Sequence, residues 1–448
     1  MASHNELLDG IKLGMFKMST SYMRSQYPST CPIGKVPCLT YLTLPENSVN
    51  EMFVNFHINL ESCENKIWEP YMFYVEKSKY GKTTEHINVK PLKSKFESLS
   101  TEEHEKRNIF TAHLKDLEQD TTYAFSISLN PRLFGSEAYY FKTFNPESMT
   151  IVNGGDVGIN YESREMNQNG LSNIEPDLIM IGGDISYDNN FPECYRATDQ
   201  LLLEIPHSKP DSDSVIENEK GYNFVRLIPM IKSTGNHDLG VNSVNNVRIA
   251  HNKHEPLFKH YYPQNTFNNQ IPDIYHRKEY FYHIIGNQTL ILTLDSAYNS
   301  DVDGDQKEWM MGIFEKYKHI PIKIVHYHEP IYPSWAYDVN EYTKLTKEHW
   351  VPLFDEYNVT IVFENHAHRL KRTFPLRNNT KVEKGIYYVG DGAWGAIGSY
   401  WVRTNLDIIE KDEVINHVWI LEIKNSHKIE LTAIGKDQKK LDSLTLNI

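Results

Sequence analysis

The alternation of apolar and polar residues divides the chain into two regions. Between residues 37 and 146, short apolar runs with many aromatic residues alternate with polar positions and are separated by turn-forming residues. A period of two is typical of antiparallel strands and predicts a β-sandwich. The strand predictions are 52–58, 71–75, 109–114 and 122–127. Residues 1–36 are polar and irregular, and we expect a leader or edge segment there.

The second region, residues 147–448, has a different pattern of apolar and polar residues. Apolar strands alternate with helical segments, which is the pattern of a layered α/β domain. A period of 3.6 predicts helices over about 305–318 and about 341–357. We expect a surface insertion at 206–221 and a hairpin of strands 418–423 and 429–434 at the sheet edge. The predicted strands end at Asn153, Ile181, Lys232, Leu294, Tyr327, Phe363 and Val389.

Five short polar clusters directly follow strands of this second region. They are Gly155-Asp156-Val157-Gly158, Gly183-Asp184-Ile185-Ser186-Tyr187, Gly235-Asn236-His237-Asp238, His326-Tyr327-His328-Glu329-Pro330 and Asn365-His366-Ala367-His368. Binding groups in open α/β sheets gather beyond the carboxyl ends of the strands. We therefore expect these side chains to share one site.

The residue types of the clusters fit a pair of metal ions. Two cations held ~3.5–4 Å apart can clamp a phosphate and activate a water. A small anionic group must bridge them, and Asp184 is the candidate, with Asp156 as a terminal ligand. Imidazoles suit Zn and Fe better than Ca or Mg. Asn236 adds a neutral oxygen, and Tyr187 could bind a trivalent ion as a phenolate.

The order of these clusters resembles the calcineurin-like metallophosphoesterases, and the tyrosine of the second cluster is similar to that of the purple acid phosphatases. Further stretches carry the resemblance, which covers roughly residues 40–435: Glu193-Cys194-Tyr195-Arg196, Leu294-Asp295-Ser296, Gln306-Lys307-Glu308-Trp309, Lys371-Arg372-Thr373 and Gly390-Asp391-Gly392-Ala393-Trp394-Gly395. It implies a mixed α/β, sandwich-type fold. A four-layer calcineurin-like catalytic domain over 147–448 would follow a fibronectin-like β-sandwich over 37–146.

The resemblance also implies site roles. Fe(III) would be held by Asp156, Asp184, Tyr187 and His368, and a divalent ion (Zn, Mn or Fe) by Asp184, Asn236, His328 and His366. Asp184 and His237 would serve catalysis, and His237 and Asn236 would face the substrate. The expected function is an acid phosphatase that hydrolyses phosphate monoesters through a metal-bound hydroxide. The alternatives are a nucleotide phosphodiesterase or pyrophosphatase on the same fold, or a catalytically silent binding module.

The sequence departs from the family pattern at three places. Asn365 replaces the usual glycine before His366, and asparagine tolerates an unusual φ better than most residues. Arg369 and Leu370 stand where an aromatic residue often follows. The segment 331–337 has no histidine pair, so neither the leaving-group acid nor the substrate preference carries over.

Four further side chains have weaker claims to the site. His326 alternates with His328 along a strand, so it faces away and is predicted to pack without binding metal. Trp309 and Trp394 are expected in the core. Arg369 could approach a substrate phosphate, although we expect an exposed charge.

Composition limits the partners. The 448 residues carry a formal charge of −13, which argues against nucleic acid as the main partner. The expected partner is a small phosphorylated substrate. No apolar run approaches the ~20 residues of a membrane span. Many relatives are dimers, so a homodimer is a further expectation.

The compartment is left open. Residues 1–10 have no apolar core and predict no secretory signal, whereas the resemblance suggests secretion or a lysosomal or vacuolar location. Asn-x-Thr acceptors occur at Asn287, Asn358 and Asn378, and they count only in the secretory route. Of the four cysteines, Cys31 and Cys38 could pair, or both could be free or buried thiols.

Overall fold

The computed structural model describes residues 30–31, 35–59, 70–81, 87–89, 92–94, 107–130, 137–190, 195–205, 208–210, 224–242, 247–248, 256–334, 340–396 and 407–448. Most of the predicted leader, and Cys63 and Cys194, lie outside these ranges. Cys31 and Cys38 form a disulfide and are not free thiols.

The first region forms two antiparallel sheets with a shared apolar core. Its strands are β1 Leu39–Thr43, β2 Met52–Asn59, β3 Tyr71–Glu76, β4 Ile87–Val89, β5 Leu92–Ser94, β6 Arg107–Leu114, β7 Thr122–Ser128 and β8 Ala138–Lys142. Strands β1, β2, β6 and β5 are neighbours in one sheet, and β8, β7, β3 and β4 in the other. Val54, Phe110 and Phe125 pack in the same buried cluster. The predicted β-sandwich is therefore present.

The second region contains the remaining strands and most of the helices. Its strands are β9 Met149–Gly154, β10 Leu178–Gly182, β11 Ser208–Pro210, β12 Phe224–Leu227, β13 Pro229–Ser233, β14 Val241–Asn242, β15 Val247–Arg248, β16 Phe281–Ile285, β17 Thr289–Thr293, β18 Ile322–His326, β19 Ile361–Glu364, β20 Leu370–Thr373, β21 Leu376–Arg377, β22 Thr380–Lys381, β23 Tyr387–Gly390, β24 Ile409–Glu413, β25 Val418–Asn425, β26 Lys428–Ile434 and β27 Lys440–Asn447. The helices are α1 Tyr161–Glu165, α2 Tyr195–Glu204, α3 Asn236–Leu239, α4 Leu257–Tyr261, α5 Asp305–Lys316, α6 Glu341–His349 and α7 Val351–Glu356. Single helical turns lie at Lys77–Lys79, Met166–Gly170 and Ile274–His276.

Two large sheets pack face to face with helices outside them. One has the order β27-β26-β25-β9-β10-β13-β1-β2-β6-β5, and the other β16-β17-β18-β19-β23-β20-β24. Alternate residues of β10 face opposite sides: Met180 joins the core between the sheets, whereas Ile181 packs beneath α2 and α4. Val325 of β18 faces α5 to α7 on the other side. The four layers agree with the predicted fold class.

Each of the two sheets of the sandwich also contains strands of the second region. Strand β1 pairs in parallel with β13, with Leu42 opposite Pro229. Strand β8 pairs in parallel with β12, with Phe224 opposite Ala138. The division of the chain at residue 146 remains a prediction.

Most predicted elements of the second region are found, with two corrections. All seven predicted strand ends lie within one residue of the observed ones. The helix predicted over 341–357 is instead two helices that meet at Trp350, because Pro352 cannot donate a backbone hydrogen bond. The hairpin of β25 and β26 forms, but it is not the sheet edge, since β27 pairs outside β26. The predicted insertion lies mostly outside the described ranges, apart from β11.

Within the described ranges, no helix has the length and apolar character needed to cross a membrane.

Candidate metal centre

Three of the predicted ligands form one group. The Tyr187 hydroxyl lies 3.3 Å from Asp156 Oδ1 and 3.2 Å from His368 Nε2. His368 Nε2 is itself 2.9 Å from Asp156 Oδ1. These residues come from the loops after β9, β10 and β19, so the carboxyl ends of three strands bring the group together.

The other four predicted ligands form a second group. His328 Nε2 lies 3.4 Å from Asp184 Oδ1, 3.2 Å from Asn236 Oδ1 and 3.2 Å from His366 Nδ1. Donor atoms of Asp184, His328 and His366 all lie within 4.8 Å of one another, which is an arrangement that could hold a metal ion. Asn236 begins the short helix α3 directly after β13.

Backbone contacts join the two groups into one site. The N–H of His366, in the second group, donates to Asp156 Oδ2, in the first, at 2.9 Å. The loops after β9 and β10 also run side by side, because the N–H of Val157 donates to the carbonyl of Asp184. Five of the seven predicted ligands have a left-handed φ: Asp156, Asp184, Tyr187, His366 and His368. Such conformations are uncommon outside glycine and cluster at functional sites.

Hydrogen bonds fix the orientation of the second group. The imidazole Nδ1 of His328 donates to the carbonyl of Gly182 at 2.8 Å, so its Nε2 faces the group with a free lone pair when the ring is neutral. The N–H of His237 donates to Asp184 Oδ1 at 2.9 Å. Ser296 Oγ accepts the N–H groups of His328 and Glu329 at 3.1 and 2.9 Å.

Burial and neighbouring charges together set the pKa values of the site residues. Burial opposes ionisation of Asp184, but His328 and His237 outweigh it and hold the pKa of this carboxyl below its usual range. Burial likewise opposes protonation of His328, yet the carboxylates of Asp184 and Asp156 raise its pKa to about 10. Burial and then His328 lower the pKa of His366. The two carboxylates thus favour the protonated form of His328 but not that of His366.

This donor set suits metal ions. Two fully buried carboxylates, Asp156 and Asp184, face imidazoles, a phenol and an amide oxygen, and no lysine or arginine among the described residues contacts either one. Burial, Asp156 and Asp184 raise the pKa of the Tyr187 phenol, and a bound cation reverses that direction. His237 and His368 are 12% and 29% exposed, against 0% for His328, so the site opens on their side.

The structure separates the weaker candidates from the site. The imidazole of His326 lies 2.6 Å from Thr293 Oγ1, and the described contacts include none with the predicted ligands. Trp394 is buried with its Nε1 donating to Asn167, and Trp309 packs half-buried against Tyr280, as expected of core residues.

One expectation about the cluster around His366 needs correction, and the conformation of Asn365 is now defined. Arg369 is not an exposed charge, because the residue is 4% exposed and its guanidinium makes a two-pronged ion pair with Asp412 at 2.6 and 2.9 Å. Asn365 has no left-handed φ; His366 and His368 do. Instead the Asn365 side chain donates to the carbonyl of Tyr327 and fills the space beside Gly182 that a Cβ would need.

Sequence reasoning missed several residues that contact the predicted site residues or the loops that carry them. Asn189 Oδ1 lies 2.5 Å from His237 Nδ1, and nothing in the sequence pointed to it. Asp238 accepts the N–H groups of Ile185 and Gly235. Ser296 and Asp238 stand in stretches that the motif pattern had already marked, so that signal was available.

Comparison with known proteins shows which family and which solved structure this chain resembles. Residues 149–370 match the family model of the calcineurin-like phosphoesterases. The structure of a purple acid phosphatase isolated from yellow lupin (Lupinus luteus) seeds superposes with a TM-score of 0.70 at 16% sequence identity. The superposition covers 92% of this chain and 75% of the lupin chain, and it shows a common fold.

Two purple acid phosphatases of Arabidopsis thaliana are similar in sequence. Purple acid phosphatase 15 is 23% identical over 298 residues and purple acid phosphatase 13 is 24% identical over 311 residues. These alignments cover 63% and 64% of this chain but 53% and 54% of the relatives, so the chain spans about half their length. Residues 149–370 are therefore similar to the calcineurin-like phosphoesterases, and the resemblance of the chain to the purple acid phosphatases is confirmed.

Proposed function

We propose that this protein is a metal-dependent acid phosphatase that hydrolyses phosphate monoesters at a dinuclear centre. The observation that carries the proposal is the convergence of the seven predicted ligand side chains, from five separate clusters, into two adjoining groups. Asp156, Tyr187 and His368 would hold Fe(III), and Asn236, His328 and His366 a divalent ion (Zn, Mn or Fe). Asp184 would bridge the two ions.

When bound, the ions would supply Lewis acidity and an activated water for in-line attack on phosphorus. The protein's own part is to bind and orient the ester. We assign this role to His237, whose Nε2 lies 3.8 Å from Asp184 Oδ2 on the open side of the site. An imidazole there can donate to a phosphate oxygen when protonated.

The bridging role is tested by Asp184→Asn, which keeps the size of the side chain but removes the charge. We expect the variant to lose most of its hydrolysis of an aryl phosphate and at least one of its metal ions, measured by mass spectrometry. Asp437→Asn, at an exposed turn, is the matched control and should retain both. Unchanged hydrolysis by Asp184→Asn would contradict the bridge.

Substrate class is tested separately on the metal-loaded protein. Steady-state rates on an aryl monoester, an aryl diester and a nucleoside triphosphate should be highest for the monoester. A preference for the diester or the triphosphate would favour the phosphodiesterase or pyrophosphatase alternative. Less than one ion per chain after reconstitution, with no hydrolysis of any ester, would favour a silent binding module.

A further inference from the structure

Three charged side chains are fully buried directly behind the predicted metal centre. Lys371 Nζ lies 2.5 Å from Glu364 Oε2 and 3.6 Å from Asp391 Oδ1, and all three side chains are 0% exposed. Burial opposes protonation of Lys371, but Asp391 and Glu364 outweigh it and raise the pKa of its ammonium group. We call these three residues the Lys371 network.

The carboxylate of Glu364 holds the chain on both sides of His328. Its Oε1 accepts the Tyr327 hydroxyl at 2.8 Å and the N–H of Ile331 at 2.7 Å. Both donors lie within three residues of His328 in sequence. One oxygen atom therefore fixes the start and the end of the short loop that carries this imidazole.

The same carboxylate belongs to the strand that carries the next histidine. Glu364 is the last residue of β19, two positions before His366. It thus connects the loop of His328 to the loop of His366. Nε2 of His328 lies 3.2 Å from Nδ1 of His366. Lys371 completes the connection, because its Nζ also donates to the carbonyl of Tyr332 at 3.0 Å.

Asp391 closes the network on its other side. Its Oδ2 accepts the hydroxyl of Ser334 at 2.8 Å, and its N–H donates to the carbonyl of Glu364 at 2.6 Å. Every member of the network therefore holds one residue of the segment 331–334. That segment contains no helix or strand, so side chains must supply its anchors.

A gain in folding stability does not explain why these three charges are buried together. Replacing buried ion pairs with well-packed apolar residues is often neutral or stabilising, whereas removing one partner is strongly destabilising. Geometry is the better explanation, because a metal site needs its ligands held in place by neighbouring hydrogen bonds.

We propose that Glu364, Lys371 and Asp391 are positioning residues that set the separation of His328 and His366, and with it the affinity of the divalent ion. The inference rests on the proposed function. It concerns one half of the centre, because His328 and His366 would bind the divalent ion, whereas Tyr187 and His368 would bind Fe(III). Loosening the network should therefore release the divalent ion first.

Tyr327→Phe is the mildest test, since it removes only the hydroxyl that donates to Glu364. Protein loaded with Fe(III) and Zn should hold Zn about 10-fold more weakly than wild type in chelator competition, the lower end of what partners of metal ligands contribute. The visible absorption expected from Tyr187 and Fe(III) should remain. Tyr123→Phe is the control, a buried tyrosine of the sandwich whose hydroxyl accepts the N–H of Glu118 at 2.9 Å, away from the network.

Lys371 provides a second pair of variants. Lys371→Met should weaken Zn binding further, and Lys371→Arg should restore part of it because the positive charge returns. If Lys371→Met does not fold, Tyr327→Phe and Lys371→Arg still decide the matter. Zn affinity equal to wild type in Tyr327→Phe, or loss of both metals together, would overturn the proposal. A wild-type protein that takes up no metal would instead refute the proposed function.

Discussion

The imidazole Nδ1 of His237 lies 2.5 Å from the side-chain oxygen of Asn189. The Asn189 amide has a defined orientation, because its Nδ2 donates to the carbonyl of Tyr187 at 3.3 Å. Its Oδ1 must therefore accept, and His237 Nδ1 must carry a proton. This leaves Nε2 of His237 facing the predicted metal centre, as a lone pair in the neutral ring and as a donor in the protonated ring.

We predict that Asn189→Leu lowers kcat/KM for an aryl phosphate about 10-fold or more. A buried donor that loses its partner costs about 1–3 kcal/mol, and the His237 ring would no longer be held in one orientation. Asn189→Asp should keep the orientation of the His237 ring. It should also shift the pH–rate profile to higher pH, because a carboxylate favours the protonated imidazole.

The control for this prediction is Asn190→Asp, which adds the same charge one residue along the chain. Its backbone is also left-handed, so the local conformation is matched. An equal shift of the profile in both aspartate variants would attribute the effect to charge alone. Normal kcat/KM in Asn189→Leu would show that this hydrogen bond does not position His237.

Tyr187→Phe should separate iron binding from folding. The Tyr187 ring packs against His237 with centroids 4.5 Å apart, and a phenylalanine keeps that contact. Without the phenolate, we expect the metal-loaded variant to lose visible absorption and to hold Fe(III) more weakly, while its divalent ion stays. Spectroscopy with metal counting checks this. A band of unchanged intensity would place the chromophore on another residue.

The parts of the fold that follow from local pattern were predictable. Apolar runs such as Leu178–Gly182 predict buried strands, and the polar clusters that follow them predict the site. Both patterns can be seen in a short stretch of consecutive residues. Strand β27 was missed since its residues, such as Lys440 and Asp442, are mostly polar and half-exposed at a sheet edge.

Pairings between distant residues could not be predicted in the same way. The contact of Asn189 with His237 and the ion pair of Arg369 with Asp412 join residues 48 and 43 positions apart. Nothing in a single sequence states which buried polar groups satisfy one another, although burial demands that they do. Arg369 looked exposed because arginine usually is.

Gly182 and Asn365 should be coupled in stability. A Cβ on Gly182 would collide with the Asn365 side chain, which is held in place by its bond to the carbonyl of Tyr327. Gly182→Ala should therefore destabilise the protein by about 1–3 kcal/mol through overpacking. Adding Asn365→Gly to this variant frees the space, so the double variant should lose less stability than the sum of the single variants.

Urea unfolding of the four proteins in this cycle measures the coupling. The comparison is best made without metal, because bound ions would stabilise the native state in proportion to their affinity. Additive losses, with no recovery in the double variant, would show that the added methyl group meets an obstacle other than Asn365.

His283 should make the protein sensitive to acid. Its Nδ1 donates to the carbonyl of Pro45 at 3.0 Å, and burial lowers its pKa to about 4. An unfolded histidine titrates near pH 6.5. Between about pH 6.5 and 4 the unfolded chain therefore binds a proton that the native side chain does not, so the native state loses stability as the pH falls, by at most about 1.4 kcal/mol per pH unit.

His283→Gln tests this contribution, since glutamine can still donate to Pro45 and does not titrate. The stability of wild type relative to the variant, from urea unfolding between pH 7 and pH 4.5, should decrease steadily as the pH is lowered. His427→Gln removes an exposed histidine, and its difference from wild type should change far less. If wild type and His283→Gln give parallel curves, His283 is protonated in the native protein or its neighbourhood opens before it titrates.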